Sequence, residues 1–258
     1  MANYKNKWVL FFLMTSLQLV LLFVKNALYL WDAQLNQQKN TWLGGDLVLN
    51  SPDPWQEKIL NYLRQNNFNY SQAVIYPGTV LNQDKFSLVE VKAVDSNYPL
   101  MGELILENIK KSERTQKIPK SGEVWIEPRL AQQLNLKLGD TLEFGASEFK
   151  VGAFIEKEPD RSWQGVIFAP RFLINISDLE STKTVLSGSR VNYRLALADP
   201  EQKFSKIEQA FRNLLNPDVR LIRASDNEEL PEFAKNTELL IKILIFLNCS
   251  LLGAAIYA

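Results

Sequence analysis

Apolar and polar positions are distributed unevenly along the chain. Residues 8–24, WVLFFLMTSLQLVLLFV, hold no charge, and apolar character continues past Lys25 and Asn26 to Trp31. At about 1.5 Å per residue, Trp8 to Leu30 reaches roughly 34 Å, enough to cross a hydrocarbon core of about 30 Å. A second run, LLIKILIFLNCSLLGAAIYA from Leu239 to Ala258, has only Lys242 and Asn248 as strongly polar groups. The pattern predicts two transmembrane helices, at 8–30 and 238–258. Lys25 and Lys242 fall near span edges, where a lysine stem can snorkel to the headgroups. The competing reading of the first run is a cleaved signal peptide. It is disfavoured because no small-x-small pair follows: Lys25 and Trp31 stand where small residues would have to precede Ala27 and Ala33.

Between the runs the periodicity changes repeatedly. The first helix is expected to continue as a stalk over 31–42. LGGDLVLNS reads as a glycine turn entering a strand. PWQEKILNYLRQNN reads as a helix with Trp55, Ile59, Leu60 and Leu63 on one face. AVIYPGTVLN and FSLVEVKAVD read as strands joined by a turn at QDK, and KKSERTQKIPKSGE as an exposed, mobile loop. Then come VWIE as a strand, PRLAQQLNL as a short helix, KLGDTLEFG, SEFKVGAFIE and QGVIFAP as strands, and RFLINISDLE as a helix. RVNYRLALA, PEQKFSKIEQAFRNLL, VRLIRA and DNEELPEFAKN close the region as strand, helix, strand and helix. The expected class is α+β: a sheet domain over 43–123 and 171–236, carrying an inserted β-rich subdomain over 124–170.

Charge refines this picture. Lys5 and Lys7 precede the first span, which predicts a cytoplasmic amino terminus and an exterior middle. That middle carries 29 − 3 = 26 basic residues, leaving out Lys5, Lys7 and Lys242, against 29 acidic ones. A slight acidic excess argues against nucleic acid as a partner. The single cysteine, Cys249, excludes an intrachain disulfide. The absence of histidine removes the commonest metal ligand and the usual general base, so neither a metal nor a cofactor is expected.

No enzymatic constellation emerges. There is no GxxxxGK[ST] phosphate loop and no G-x-S-x-G; LSGSR at 186–190 lacks the spacing. Glu156, Glu158 and Asp160 in EKEPDR read as a solvated turn. Asp95 and Ser96 read as a strand end with turn chemistry, and Gly139 with Asp140 as a turn entering a strand.

Six stretches in order carry a resemblance: LGGDLVLNSPDPW, VKAVDSNYPLMGELIL, VWIEPRLAQQLNLKLGDTLEFG, EKEPDR, FAPRFLINISDL and GSRVNYRLAL. Together they resemble the first periplasmic domain of FtsX-like, MacB-type ABC transporter permeases of bacteria, YbbP-type, from about Trp31 to Ala258. The resemblance implies a porter-like α+β periplasmic domain with an inserted β-rich part. It implies a permease that relays the motion of a cytoplasmic ABC ATPase, supplied in trans, to a domain acting on lipid, lipoprotein or peptide cargo. Membrane lipid and a periplasmic protein are the further partners it implies, with no ATP hydrolysis in this chain. The family-motif residues carried over are Gly45, Asp46, Asp95, Tyr98, Pro99, Gly102, Gly139, Asp140, Pro159, Asp160, Arg161, Pro170, Arg190 and Tyr193, read as fold-defining rather than catalytic. Family permeases continue past the second span with a basic loop, an ATPase-docking helix and further spans. The expectation is therefore a truncated or split permease. The alternative is a stand-alone membrane-anchored binding module. An exterior hydrolase ranks last.

Overall fold

The computed structural model describes residues 40–107, 113–161, 169–186, 188–198 and 217–223. Both expected spans, most of the stalk, the helices read within 200–215 and 226–236, and most of QGVIFAP lie outside the described residues. Among the described residues no helix is long and apolar enough to cross a membrane.

The fold is mixed α and β, dominated by one sheet. Its strands are β1 (Leu47–Ser51), β2 (Asn69–Asn82), β3 (Lys85–Val94), β4 (Leu104–Glu107), β5 (Glu113–Thr115) and β6 (Glu123–Ile126). They are followed by β7 (Thr141–Phe144), β8 (Ser147–Lys157), β9 (Arg171–Asn175), β10 (Asn192–Ala198) and β11 (Arg220–Arg223). The helices are α1 (Glu57–Gln65), α2 (Pro128–Leu134) and the single turn α3 (Leu179–Thr182). Strand order is β11-β1-β10-β2-β3-β9-β6-β8-β4-β5, with β7 pairing β2 and β8.

Two packing units share this sheet. At the β11-β1-β10 end, α1 lays Ile59, Leu60 and Leu63 onto Leu47, Leu49, Leu195 and Leu197. The helical period aligns the first set and the strand period the second. Elsewhere β2, β3, β9, β6, β8 and β7 pair in succession, and β7 returns to β2 through Leu81 and Glu143, closing a ring. Phe144, Phe149 and Phe172 fill that ring, with the Phe144 and Phe172 centroids 4.8 Å apart. Leu130, Ala131 and Leu134 of α2 pack on the same cluster. The fourteen residues of β2 link the units, pairing β10 over Asn69–Ile75 and β3 over Ala73–Asn82. Strands on both sides of the boundaries drawn near 124 and 170 are thus hydrogen-bonded into one sheet: β6 and β8 with β9, β7 with β2, and β4 with β8.

One element corrects the sequence reading. RFLINISDLE is not a helix: Arg171–Asn175 form β9, followed by a 3₁₀ turn at Ile176–Asp178 and then α3. β9 runs parallel to β3 and antiparallel to β6, and Phe172, Leu173 and Ile174 are all fully buried. A strand covered on both faces reads as a continuous apolar run, which short periodicity cannot separate from a buried helix. The KKSERTQK region also carries a strand, β5, paired with β4.

Candidate functional site

Lys92 is among the largest fully buried side chains of the described residues, 1% exposed within a run of buried apolar positions on β3. A lysine at such depth needs partners, since an uncompensated buried charge is strongly unfavourable. Its ammonium donates to Glu158 Oε1 at 2.6 Å and to Asp160 Oδ1 and Oδ2 at 2.8 and 2.9 Å. It also donates to the Tyr98 hydroxyl at 3.0 Å, and lies 4.3 Å from the centroid of the same ring. Tyr98 in turn turns its one proton toward Glu158 at 2.8 Å and Asp160 at 2.7 Å. Arg171, the first residue of β9, donates from Nε to Glu158 Oε2 at 2.7 Å and places Nη1 2.9 Å from Glu90. Arg194 of β10 lies 4.0 Å from Asp160 and donates to the carbonyl of Leu43.

Burial alone would raise both carboxyl groups. For Asp160, Lys92 and then Arg194 overcome it and hold the group well below the usual carboxylate range. For Glu158, Arg171 and then Lys92 outweigh burial and the neighbouring Asp160 and lower the group. Burial lowers the Arg171 guanidinium, but Glu158 and Glu90 more than reverse this. Burial, then Asp160 and Glu158, push the Tyr98 phenol well up, so it remains a neutral donor. Arg161, by contrast, is brought down to about 10 by burial and by neighbouring Arg171. It pairs with Glu127, which also accepts from Arg129 Nε at 2.6 Å. Arg129 and Arg161 both donate to the Ala169 carbonyl, at 2.8 and 3.1 Å.

The cluster sits against the helical turn at residues 40–43. Residues 40–43 are helical and end in a turn in which the Gly44 and Gly45 N–H groups donate to the Thr41 and Asn40 carbonyls. Gly44 has φ +75°, and a Cβ there would lie 2.9 Å from Asp160 Cβ. Gly102 has φ +82°, and a Cβ there would lie 2.7 Å from both Pro159 Cβ and Thr41 Cγ2. Both positions therefore exclude a side chain for conformational and steric reasons together. Asn40 Nδ2 donates to Asp46, and Asp46 N–H to Leu197 of β10. The helical turn is thus tied to β10 through Arg194 and Asp46, and it packs on the Pro159–Asp160 corner that Lys92 holds to β3.

Of the residues singled out from the sequence, Gly45, Asp46, Tyr98, Pro99, Gly102, Pro159, Asp160 and Arg161 gather in or beside this region. Tyr98–Pro99 is a cis peptide. Asp95 lies nearby at the end of β3, accepting from Ser71 Oγ and Gln72 N–H, both at 2.8 Å. Pro170 is buried, and its carbonyl accepts from Glu90 N–H at 2.9 Å. The others stand apart. Gly139 and Asp140 form the turn before β7, Asp140 accepting from Lys137 N–H at 2.8 Å. Arg190 is exposed, and Tyr193 lies on β10 against the ring core. EKEPDR is not a solvated turn: Glu158 and Asp160 are buried, because Lys92, Arg171 and Arg194 arrive from three separate strands to neutralise them. Those three cations and Gly44 escaped sequence reasoning. The signal present was a lone lysine inside VEVKAV, together with two acids bracketing a proline.

Chemically the cluster is an internal joint. Its groups are mutually paired and shielded from water, and among the described residues no His/Cys/Asp/Glu group is arranged to hold a metal ion.

The fold around this joint is similar to that of MacB-type periplasmic domains. The periplasmic region of MacB from Actinobacillus actinomycetemcomitans matches with a TM-score of 0.50, covering 77% of this chain and 94% of that one. At 11% identity the likeness is one of fold. The extracellular domain of the ABC-type transporter YknZ from Gram-positive bacteria gives a TM-score of 0.46 at 10% identity, over 69% of this chain and 100% of that one. In sequence, the chain is similar to an uncharacterized ABC transporter permease of Escherichia coli strain K12, YbbP, with 28% identity over 186 residues, 72% of this chain. The chain spans 22% of that relative's length. No protein-family model matches. The likeness to YbbP in sequence and to MacB in fold bears out the resemblance to MacB/FtsX-type permeases carried by the sequence motifs.

Proposed function

We propose that the chain is a membrane permease component of the MacB/FtsX mechanotransmission type. Its helices at 8–30 and 238–258 span the bacterial inner membrane, and the domain described above lies in the periplasm. A cytoplasmic ABC ATPase in trans supplies the motion, and the periplasmic domain acts on lipid, lipoprotein or peptide cargo. The chain itself carries no catalytic role in this reading. The observation that supports it is the tie between the helical turn at 40–43 and the sheet. Arg194 grips the Leu43 carbonyl, Gly44 lets the turn close on Asp160, and Lys92 holds Asp160 to a central strand. Displacement of the helix is carried into β3 and β10 rather than absorbed by a loose linker.

The test is affinity purification of the full chain from native membranes, with ATP hydrolysis measured on the purified material. An ABC ATPase is expected to copurify. Arg194→Ala, which releases the Leu43 carbonyl from β10, is expected to lower ATP turnover of the copurified material, since the helical turn and the sheet then move independently. Absence of an ATPase, or turnover indifferent to Arg194→Ala, refutes the reading.

A further inference from the structure

The outer face of the β2–β3 hairpin carries three of the five exposed large apolar side chains of the described residues. Phe86 is 74% exposed, Leu88 66% and Leu81 43%. Leu81 stands directly opposite Phe86 on one side and Glu143 on the other, and Glu143 stands directly opposite Glu148. Residues directly opposite on neighbouring strands share a face, so Phe86, Leu81, Glu143 and Glu148 form one row across β3, β2, β7 and β8. Leu88, two residues along β3, lies on the same face.

Both glutamates are exposed, and among the described residues neither has an ion-pair partner. Like charges directly opposite on paired strands are unfavourable. Lys150, two positions along β8 from Glu148, leans over Gly139 instead. The row therefore joins an uncovered apolar surface to an uncompensated pair of carboxylates. The apolar half gains from being covered and the like-charged half from a cation, so the two halves call for different properties in whatever covers them. An anionic membrane surface satisfies the apolar half but is repelled by the carboxylates. A second copy seated symmetrically offers the glutamates, from this same row, only apolar side chains or further glutamates and no cation.

We propose that this face docks an amphipathic polypeptide segment of another protein, one that presents large apolar side chains flanked by lysine or arginine. The apolar side chains cover Phe86, Leu88 and Leu81, and the cations pair with Glu143 and Glu148. Leu81 is paired on both edges of β2, with Phe86 of β3 and Glu143 of β7, so docking on this row is face-on and not by strand addition at Leu81.

The test uses the full chain in nanodiscs of zwitterionic lipid, with empty nanodiscs as the blank. The probes are a short synthetic peptide of alternating leucine and lysine and its leucine–glutamate counterpart. The lysine peptide is expected to bind, Phe86→Ser to weaken it about tenfold or more, and Glu143→Lys with Glu148→Lys to shift preference to the glutamate peptide. All three positions are exposed, and unchanged thermal unfolding of the variants confirms that the fold is intact. Peptide preference unaffected by the double charge reversal overturns the proposal. So does concentration-dependent self-association abolished by Phe86→Ser, which assigns the face to a second copy, and so does tighter binding of anionic vesicles than of the lysine peptide. Slow thiol labelling of Phe86→Cys in a Cys249→Ser background also overturns it, since the face is then already covered within the chain. None of these readouts involves ATP turnover, so this inference and the permease reading fail independently.

Discussion

Replacing Lys92 by methionine keeps most of the volume and removes the charge that Glu158 and Asp160 share. Arg171 still holds Glu158 at 2.7 Å, but Asp160 is left with Arg194 at 4.0 Å and the Tyr98 hydroxyl. Breaking a buried pair by deleting one partner costs about 3–5 kcal/mol. For a domain of this size each kcal/mol moves the midpoint by about 2–4 °C, so Lys92→Met is expected to lower Tm by roughly 6–20 °C at pH 7. The pH dependence distinguishes this cause from simple mispacking. In the native protein both carboxyls lie below their unfolded values. The stability they lend is therefore present above the unfolded carboxylate value of about 4 and lost as pH falls through the folded values. In the variant, burial acts on Asp160 with less opposition and raises it. The deficit relative to the native protein then shrinks as pH falls from 7 towards 5, because the orphaned carboxylate takes up a proton. Thermal unfolding of the full chain, followed by tryptophan fluorescence at several pH values, measures both. A Tm within about 2 °C of the native protein, or a deficit independent of pH between 7 and 5, refutes the reasoning.

Other consequences follow from the same packing. Lys92→Met combined with Asp160→Asn is expected to recover part of the loss at pH 7, seen as a double-mutant-cycle coupling of about 1 kcal/mol or more in denaturant titrations. Gly102→Ala meets Pro159 and Thr41 at 2.7 Å as well as an unfavourable φ, and is expected to cost about 1–3 kcal/mol by the same titrations. Leu63→Ala opens a cavity between α1 and the sheet where the side chain is fully buried. It is expected to cost about 2–5 kcal/mol, read as a lowered denaturant midpoint. Arg64→Ala on the same helix removes an exposed pair with Glu57 and exposed hydrogen bonds to Asn61 and Tyr70, and is expected to move the midpoint by less than about 1 kcal/mol.

Legibility in the sequence followed the length and one-sidedness of each pattern. α1 was readable because Ile59, Leu60 and Leu63 repeat at helical spacing beside a polar face. β2 and β3 were readable because a tight turn separates two long runs. β9 was not, because burial on both faces erases alternation and leaves FLI open to either reading. The ring was not legible either, since its closure through Leu81 and Glu143 joins residues 62 apart and is set by tertiary pairing. The Gly45, Asp46 and Gly102 motifs were visible as signatures, but their meeting point was not. Gly102 reaches Thr41 and Pro159 only through the folded chain.

EKEPDR shows why a site of this kind escapes pattern reading, and what the arrangement is good for. Three acids around a proline are usually solvated, and nothing local marks Glu158 and Asp160 as buried. Their neutralisation depends on Lys92, Arg171 and Arg194, supplied by three strands distant in sequence. Apolar side chains of similar volume commonly stabilise a core as well as a buried ion cluster does, or better. Stability alone is therefore a weak reason for placing charges here. Direction is a stronger one. Apolar contacts slide with little change in energy, whereas the hydrogen bonds of Lys92 to Asp160 and of Arg194 to the Leu43 carbonyl hold only at particular distances and angles. A joint of that kind fixes the last helical turn to β3 and β10 in one orientation. If orientation is what the charges provide, Lys92→Met and an equally destabilising Leu63→Ala will differ in one respect. Spin labels at Thr41 and on β10 will show a broadened distance distribution in the first and a native one in the second. Equal distributions at matched stability would leave the cluster with no role beyond packing.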